Sequence, residues 1–366
     1  MKTGSYRATI TLLTLFGMLV FSPAWAQDAR TASGTTDPDQ RIYTIAYFEA
    51  GPYWEFTLLQ QEVTEALDRL GVLQQIHFDQ RFWLSPGWDA ASEVYREAAR
   101  QLMNAQEVDL IICMGTVATK ALLAENNGHT PIVSINVADP VASGIVDPET
   151  GKGALNLTLQ YTRDKWQQVF VLFHQALPFK RMGIMYHDSP EGRSYSNVPQ
   201  AREVARERGF TLVEYSHLDQ QESEDSCAEG VRELISRNID AFYISALNCF
   251  DWTQANPRKL IDSLHSRGIR TYARDGTVHV RQGALMGLST LDYTPLGEYY
   301  ADRISRLLGI IPEGTPVVQD RYRPKITLNL DTARSMGLDA PLVVLISADE
   351  IFDSSISPIN NSTMNK

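Results

Sequence analysis

The chain has 366 residues, 43% hydrophobic and 21% charged, a balance that suits an ordinary globular protein and excludes a disordered or fibrous one. Its formal charge is −11, so no basic patch for nucleic acid or anionic lipid is expected, and the acidity reports mainly on solubility.

The N-terminus says where the protein works. Lys2 and Arg7 form a positive start, residues 10–21 are apolar with two threonines, and Ala24-Trp25-Ala26 puts small residues at a cleavage position. This is the pattern of a secretory signal peptide over residues 1–26, and its apolar core is short for a membrane span. The alternative is a single N-terminal anchor helix. Cleavage after Ala26 removes two positive charges and leaves about 340 residues at −13, exported to the periplasm and not membrane-spanning. Residues 27–40, rich in Thr, Ser, Gly and Asp, are expected to be a flexible leader.

Strand and helix patterns then alternate. The β-branched run "IYTIAYF" (42–48) precedes a helix carrying Phe56, Leu59, Val63, Leu67 and Leu70 on one face, stopped by Gly71. "QIHFDQRFW" is the next strand, 91–106 an amphipathic helix, 108–113 a strand that stops at Gly115-Thr116 and feeds a helix, and "PIVSINV" (131–137) a further strand. A helix at 163–176 leads to a second set: strands at 181–186, 211–215, 240–245 and 269–273, with helices at 197–208, 224–237 and 256–267 between them. "GALMGLS", a helix at 295–308 and "KITLNL" follow, and the tail from Asp353 is Ser/Asn-rich and expected to be disordered. Short strands separated by helices predict an α/β protein with two doubly wound, parallel-sheet lobes.

In open α/β sheets, ligands sit beyond the carboxyl ends of the strands. Those positions hold Tyr53, Trp54, Gly115, Thr116, Asp139, Glu191, Ser194, Tyr195, Asn248, Asp251, Trp252 and Asp275. This is an aromatic and small-polar collection without the clustered Lys/Arg of a phosphate site. Gly115-Thr116 lacks the G-x-G-x-x-G and G-x-x-x-x-G-K-[ST] spacings, so neither a dinucleotide nor a P-loop is read there. A strand that ends in this way can still offer backbone N–H groups to a carboxylate, although Thr116 can equally be a plain helix cap. Asp139-Pro140 can accept from an ammonium or simply turn the chain.

Three cysteines, Cys113, Cys227 and Cys249, are no disulfide framework. Cys113 reads as a buried thiol, and a Cys227–Cys249 bridge stays open. Seven histidines without ligand spacing indicate no metal, and no cofactor is expected. No nucleophile elbow accompanies any Ser/His/Asp combination, so the chain is not read as an enzyme.

The run "VDLIICMGTVATKAL…TPIVSINVADPVASGIV…GALNLT", with Gly115-Thr116, Asp139-Pro140 and Asn156-Leu157-Thr158, resembles the first lobe of the ABC-transporter substrate-binding proteins of the TrpX type. "KRMGIMYHDSPEGRSYSN", "IDAFYISALN" and "ITLNLDTARSMGLDAPLVVLISADEI" continue the match, so the resemblance covers roughly residues 105–352. Leu159 stands where the family has glycine, and "EAGPYWEF" and "RFWLSPGWDAAS" depart from it at 49–90.

The resemblance implies a periplasmic-binding-protein fold of type I and a receptor for a small solute that partners ABC permease subunits. The solute implied is an amino acid or similar small zwitterion with an apolar or aromatic group. Gly115-Thr116 would hold its carboxylate, Asp139 its ammonium, and Tyr53, Trp54, Tyr195 and Trp252 its apolar part. Glu191, Ser194, Asn248 and Asp275 would add second-lobe hydrogen bonds on closure. Lobe 1 would comprise 41–160 plus 288–318 and lobe 2 161–287 plus 319–352, hinged near Thr158, Gly287 and Gln319, with 353–366 as tail. The rival readings are a ligand-sensing ectodomain that signals to a membrane sensor kinase and, behind it, a secreted α/β hydrolase.

Overall fold

The computed structural model describes residues 41–162, 164–289, 293–312, 325–339 and 342–355. The expected signal peptide, the leader, Gln319 and residues 356–366 of the expected tail lie outside them.

The first half runs β1 (Tyr43–Glu49), α1 (Trp54–Arg69), β2 (Ile76–Leu84), α2 (Ser92–Asn104), β3 (Leu110–Met114), α3 (Gly115–Ala124), β4 (Ile132–Ile135) and β5 (Leu157–Leu159). These strands form one sheet in the order β2-β1-β3-β4-β5, parallel throughout. All five residues of β3 are buried, as both faces of the sheet are covered. The strand period of two sorts them: Leu110, Ile112 and Met114 join Ile45 and Tyr47 in one core with α1. Ile111 and Cys113 join Ala46 and Phe48 in the other, under α2 and α3.

After β5 the chain crosses over. The second set is α4 (Lys165–Ala176), β6 (Arg181–Met185), α5 (Pro190–Tyr195), α6 (Val198–Arg208), β7 (Thr211–Tyr215), α7 (Glu224–Ser236), β8 (Ala241–Ile244), α8 (Pro257–His265), β9 (Arg270–Ala273), α9 (Gly276–Arg281) and β10 (Met286–Leu288). Then α10 (Thr294–Leu307) returns to the first sheet, where Tyr300, Ala301 and Ile304 pack in the α1 core. The chain comes back as β11 (Ile326–Asn329), α11 (Leu330–Ser335), α12 (Leu342–Ser347) and β12 (Ala348–Phe352). The second sheet has the order β12-β11-β10-β9-β8-β6-β7, with α4 and α6 over one face and α7 and α8 over the other.

One pairing departs from the parallel expectation: β10 and β11 are antiparallel. The cause is the excursion between them. The chain leaves the sheet at the end of β10 and re-enters beside it, Ser289 N–H donating to the Lys325 carbonyl at 2.8 Å, so β11 starts at the end where β10 stops. Two loop expectations are helical: residues 190–195, where Ser189 caps the Gly192 N–H and Pro190 opens the first turn, and residues 276–281. Cys227–Cys249 is a disulfide and Cys113 a buried free thiol. Among the described residues no helix is long and apolar enough to cross a membrane.

Candidate ligand-binding cleft

The carboxyl ends of both sheets face a shared cavity of about 530 Å³, within the usual size range of small-molecule sites. The first sheet contributes the loop after β1, the start of α3 and the 84–95 segment. Trp88 closes one side: its Nε1 donates to the Pro52 carbonyl (2.9 Å), and a Cβ on Gly51 would fall 2.7 Å from the indole Cγ, so only glycine lets the loop lie against that ring. Tyr95 fastens the segment by donating to the Gly87 carbonyl at 2.7 Å. At the turn from β3 to α3, Gly115 has φ +79°, and a Cβ there would sit 2.7 Å from Phe56 Cζ. No side chain caps α3 at its N-cap, Met114. The Thr116 hydroxyl accepts from the Ala138 N–H (3.3 Å), tying the turn to the end of β4.

The second sheet contributes His187, Ser189, Glu191 and Tyr195 after β6, Gln220 and Glu222 after β7, Ala246 and Asn248 after β8, and Arg274 after β9. This wall includes part of a buried charged group. Arg274 is 5% exposed, its Nη1 3.5 Å from Asp275 Oδ2 and its Nε buried without a partner. Burial works against the guanidinium charge, but Asp275 and Glu55 more than offset it. Glu55 accepts from Asn136 Nδ2 (2.6 Å) and the Tyr293 hydroxyl (2.9 Å), and burial, with Asp275 nearby, pushes its carboxyl up. Lys165 keeps some exposed surface, yet the dense surroundings and the neighbouring Arg274 lower its ammonium to about 8.

The lobes touch across the cleft. Tyr53 donates to Asp275 Oδ2 (2.7 Å), Lys120 Nζ reaches Glu191 Oε1 (2.5 Å), Trp166 Nε1 donates to the Ala138 carbonyl (2.6 Å), and Gln200 Nε2 donates to Asp139 Oδ2. Burial opposes the charge of Glu191, but Lys120 outweighs it and lowers the carboxyl.

Of the residues singled out from the sequence, Tyr53, Gly115, Thr116, Glu191, Tyr195 and Asn248 line the cavity. Asn248 directs its Nδ2 to the Gln221 carbonyl (3.1 Å). Six do not line it, Asp251 and Trp252 among them. Asp275 stands behind Tyr53 and Arg274. Ser194 is 2% exposed inside α5, with its hydroxyl unpartnered. Trp54 is buried, 6.3 Å from Trp252 between ring centroids. Asp139 Oδ1 accepts from the Val141 and Ala142 N–H groups (3.0 and 2.8 Å), which makes it the turn-forming residue of its loop.

Sequence reasoning passed over Arg274, Glu55, Lys165, Glu222, Phe56 and Trp88. Arg274 sits beside the chosen Asp275 at the strand end "TYARDG", a signal that was available. Glu222 lies in the hydrophilic run "DQQESED", which reads as solvated loop. Among the described residues no group of three or more His, Cys, Asp or Glu is placed to hold a metal ion.

Two doubly wound α/β lobes facing one polar and aromatic cleft define a binding protein of the type I periplasmic fold. The chain belongs to the ABC transporter substrate binding protein family, whose model matches residues 64–352. No curated protein matches it. Among solved structures, an ABC domain from Streptococcus pneumoniae in complex with L-Trp is 22% identical, covers 85% of this chain and 100% of its own, and has a TM-score of 0.67. A conserved domain protein from Vibrio cholerae is 20% identical, with the same coverages and TM-score. A ligand-free, open substrate-binding protein with adhesive properties from Clostridium difficile is 21% identical over 85% of this chain and 99% of its own, with a TM-score of 0.56. At these identities the likeness is one of fold.

Proposed function

We propose that this protein is the periplasmic solute receptor of an ABC importer, binding a small zwitterion with an apolar or aromatic group between its lobes. The observation that carries this reading is the cavity itself. It is lined by two features that attract an anion, the α3 N-terminus at Gly115-Thr116 and the Arg274 guanidinium, and by an aromatic surface of Tyr53, Phe56, Trp88 and Tyr195. The carboxylate docks at one of the former and the apolar group lies on the rings. The lobes are 41–160 plus 288–318 and 161–287 plus 319–352. Hinge bending near Thr158, Gly287 and Gln319 closes them, driven by contacts the solute makes to the second lobe. Export follows cleavage after Ala26, and the closed form is what the permease recognises. The pneumococcal relative holds L-Trp, which makes aromatic amino acids the first solutes to try.

Mass spectrometry of whatever co-purifies with the mature protein, followed by calorimetry, tests the reading. An amino acid should bind wild type, and Ala246→Trp, which fills the cavity wall, should abolish binding while leaving the melting curve intact. No bound solute, or a solute indifferent to Ala246→Trp, would sink it.

A further inference from the structure

The cavity wall carries two carboxylates among the described residues, and they are treated differently. Glu191 meets Lys120 across the cleft. Glu222 is 3% exposed, and among the described residues no lysine or arginine forms an ion pair with it. Its Oε1 accepts from the Tyr195 hydroxyl (2.5 Å) and its Oε2 from the Asn248 N–H (2.8 Å). An ionised carboxylate has about four acceptor positions, so two remain open. Asp219, of the same sign, acts on it as well and raises it further.

The backbone goes out of its way to put Glu222 there. Its φ is +52°, in the left-handed region that a glutamate rarely takes. Backbone strain of this kind persists only where surrounding structure holds it, and here that structure is clear. The Glu222 N–H donates to the Asp219 carbonyl (3.1 Å), and Asp219 Oδ1 accepts from the Ser223 N–H (2.9 Å). The disulfide Cys227–Cys249 then ties the start of α7 to the 3-10 turn 248–250 that supplies the Asn248 donor. Burying an anion without a counter-charge is expensive, and burial pushes this carboxyl up to about 7.

We infer that Glu222 is the subsite for a protonated amine of the solute, whose ammonium supplies the missing counter-charge and occupies the open acceptor positions. This rests on the cleft reading above and moves the ammonium from Asp139, whose oxygens serve a turn and Gln200, to the opposite lobe. The chemical class follows: the solute bears a cationic nitrogen as well as its carboxylate, and an otherwise identical acid without the amine is a poor ligand.

The test uses the mature chain with the panel of proteinogenic L-amino acids, the best binder then being compared with its des-amino analogue (indole-3-propionate for L-tryptophan, 3-phenylpropionate for L-phenylalanine). Calorimetry is run on wild type, Glu222→Gln and Ala246→Trp. Glu222→Gln should weaken the amine-bearing solute roughly 10- to 100-fold and shift its analogue less than about 3-fold. Equal weakening of both, or of neither, overturns the inference while leaving the cleft reading standing, provided Ala246→Trp still blocks. If no panel member binds wild type, or Ala246→Trp binds normally, the cleft reading fails and the inference with it. Should Glu222→Gln not fold, a crystal structure of wild type with the best binder decides. The amine nitrogen within about 3.2 Å of Glu222 supports the inference, and a nitrogen elsewhere refutes it.

Discussion

Gly115→Ala probes the turn at which β3 hands over to α3. Two costs add. At φ +79° an L-residue meets its own backbone, worth about 1–2 kcal/mol. The new methyl would also lie 2.7 Å from Phe56 Cζ and 3.5 Å from Cε1 and Cε2. Phe56 cannot simply swing away: it is buried, with Tyr53 at 5.4 Å and Trp88 at 6.3 Å between ring centroids. Overpacking of this kind costs about 1–3 kcal/mol. Alanine stiffens the unfolded chain and returns about 0.4–1 kcal/mol, leaving a net loss of about 1–4.5 kcal/mol. Urea unfolding followed by circular dichroism measures it, and because Phe56 is part of the cavity wall, solute affinity should fall too. The double variant Gly115→Ala/Phe56→Leu, measured against Phe56→Leu alone, should lose only the backbone part. A Gly115→Ala loss under about 1 kcal/mol would refute both the left-handed turn and the Phe56 contact.

Removing the disulfide with Cys227→Ser/Cys249→Ser opens a loop of sequence separation 22 and should cost roughly 3 kcal/mol of stability, read as a lower urea midpoint; an unchanged midpoint would show that the bond restrains nothing. Lys120→Met breaks an ion pair whose side chains are 37% and 28% exposed, so stability should move by less than about 1 kcal/mol. Solute dissociation should nevertheless quicken, since the pair joins the lobes, and an unaltered off-rate in stopped flow counts against that role. Glu222 links stability to pH. Its carboxyl sits at about 7 in the fold against 4.5 when unperturbed, so the folded state holds the extra proton between those values. Its contribution is full below about pH 4.5 and is lost as pH rises through 7; Glu222→Gln should flatten that part of the profile, and an identical slope in the variant refutes the assignment.

Much of the architecture was legible because apolar strand runs and amphipathic helices repeat along the chain. The strand at 110–114 and the helix at 198–208 stand within a residue or two of their sequence expectation. The antiparallel β11 was hidden, because a strand's direction depends on where the chain re-enters a sheet and no local pattern records that. The helix at 190–195 was missed although Ser189-Pro190 signals its start; six residues are too few for periodicity to show. The cleft was half legible. Small and aromatic residues at strand ends, such as Gly115 and Tyr53, advertise themselves through backbone need and composition. Arg274 and Glu222 look like solvated charges until the second lobe and the disulfide bury them, and burial is a tertiary fact. Trp88 sits in a segment that interrupts the family resemblance, so nothing local pointed to it.

Trp166 carries a consequence for how this molecule can be watched. Its indole is 7% exposed and hydrogen-bonded to Ala138 in the opposite lobe, with Lys165 Nζ 4.6 Å and Arg274 Cζ 4.9 Å from its ring. An excited indole responds to the electric field of nearby cations and to the loss of its N–H partner. The colour of its emission is therefore a gauge of lobe separation that needs no dye. In a variant whose other five tryptophans, Trp25, Trp54, Trp83, Trp88 and Trp252, are phenylalanine, opening should shift this single emission band, and a band that ignores solute would mean that the indole and both cations travel as one body.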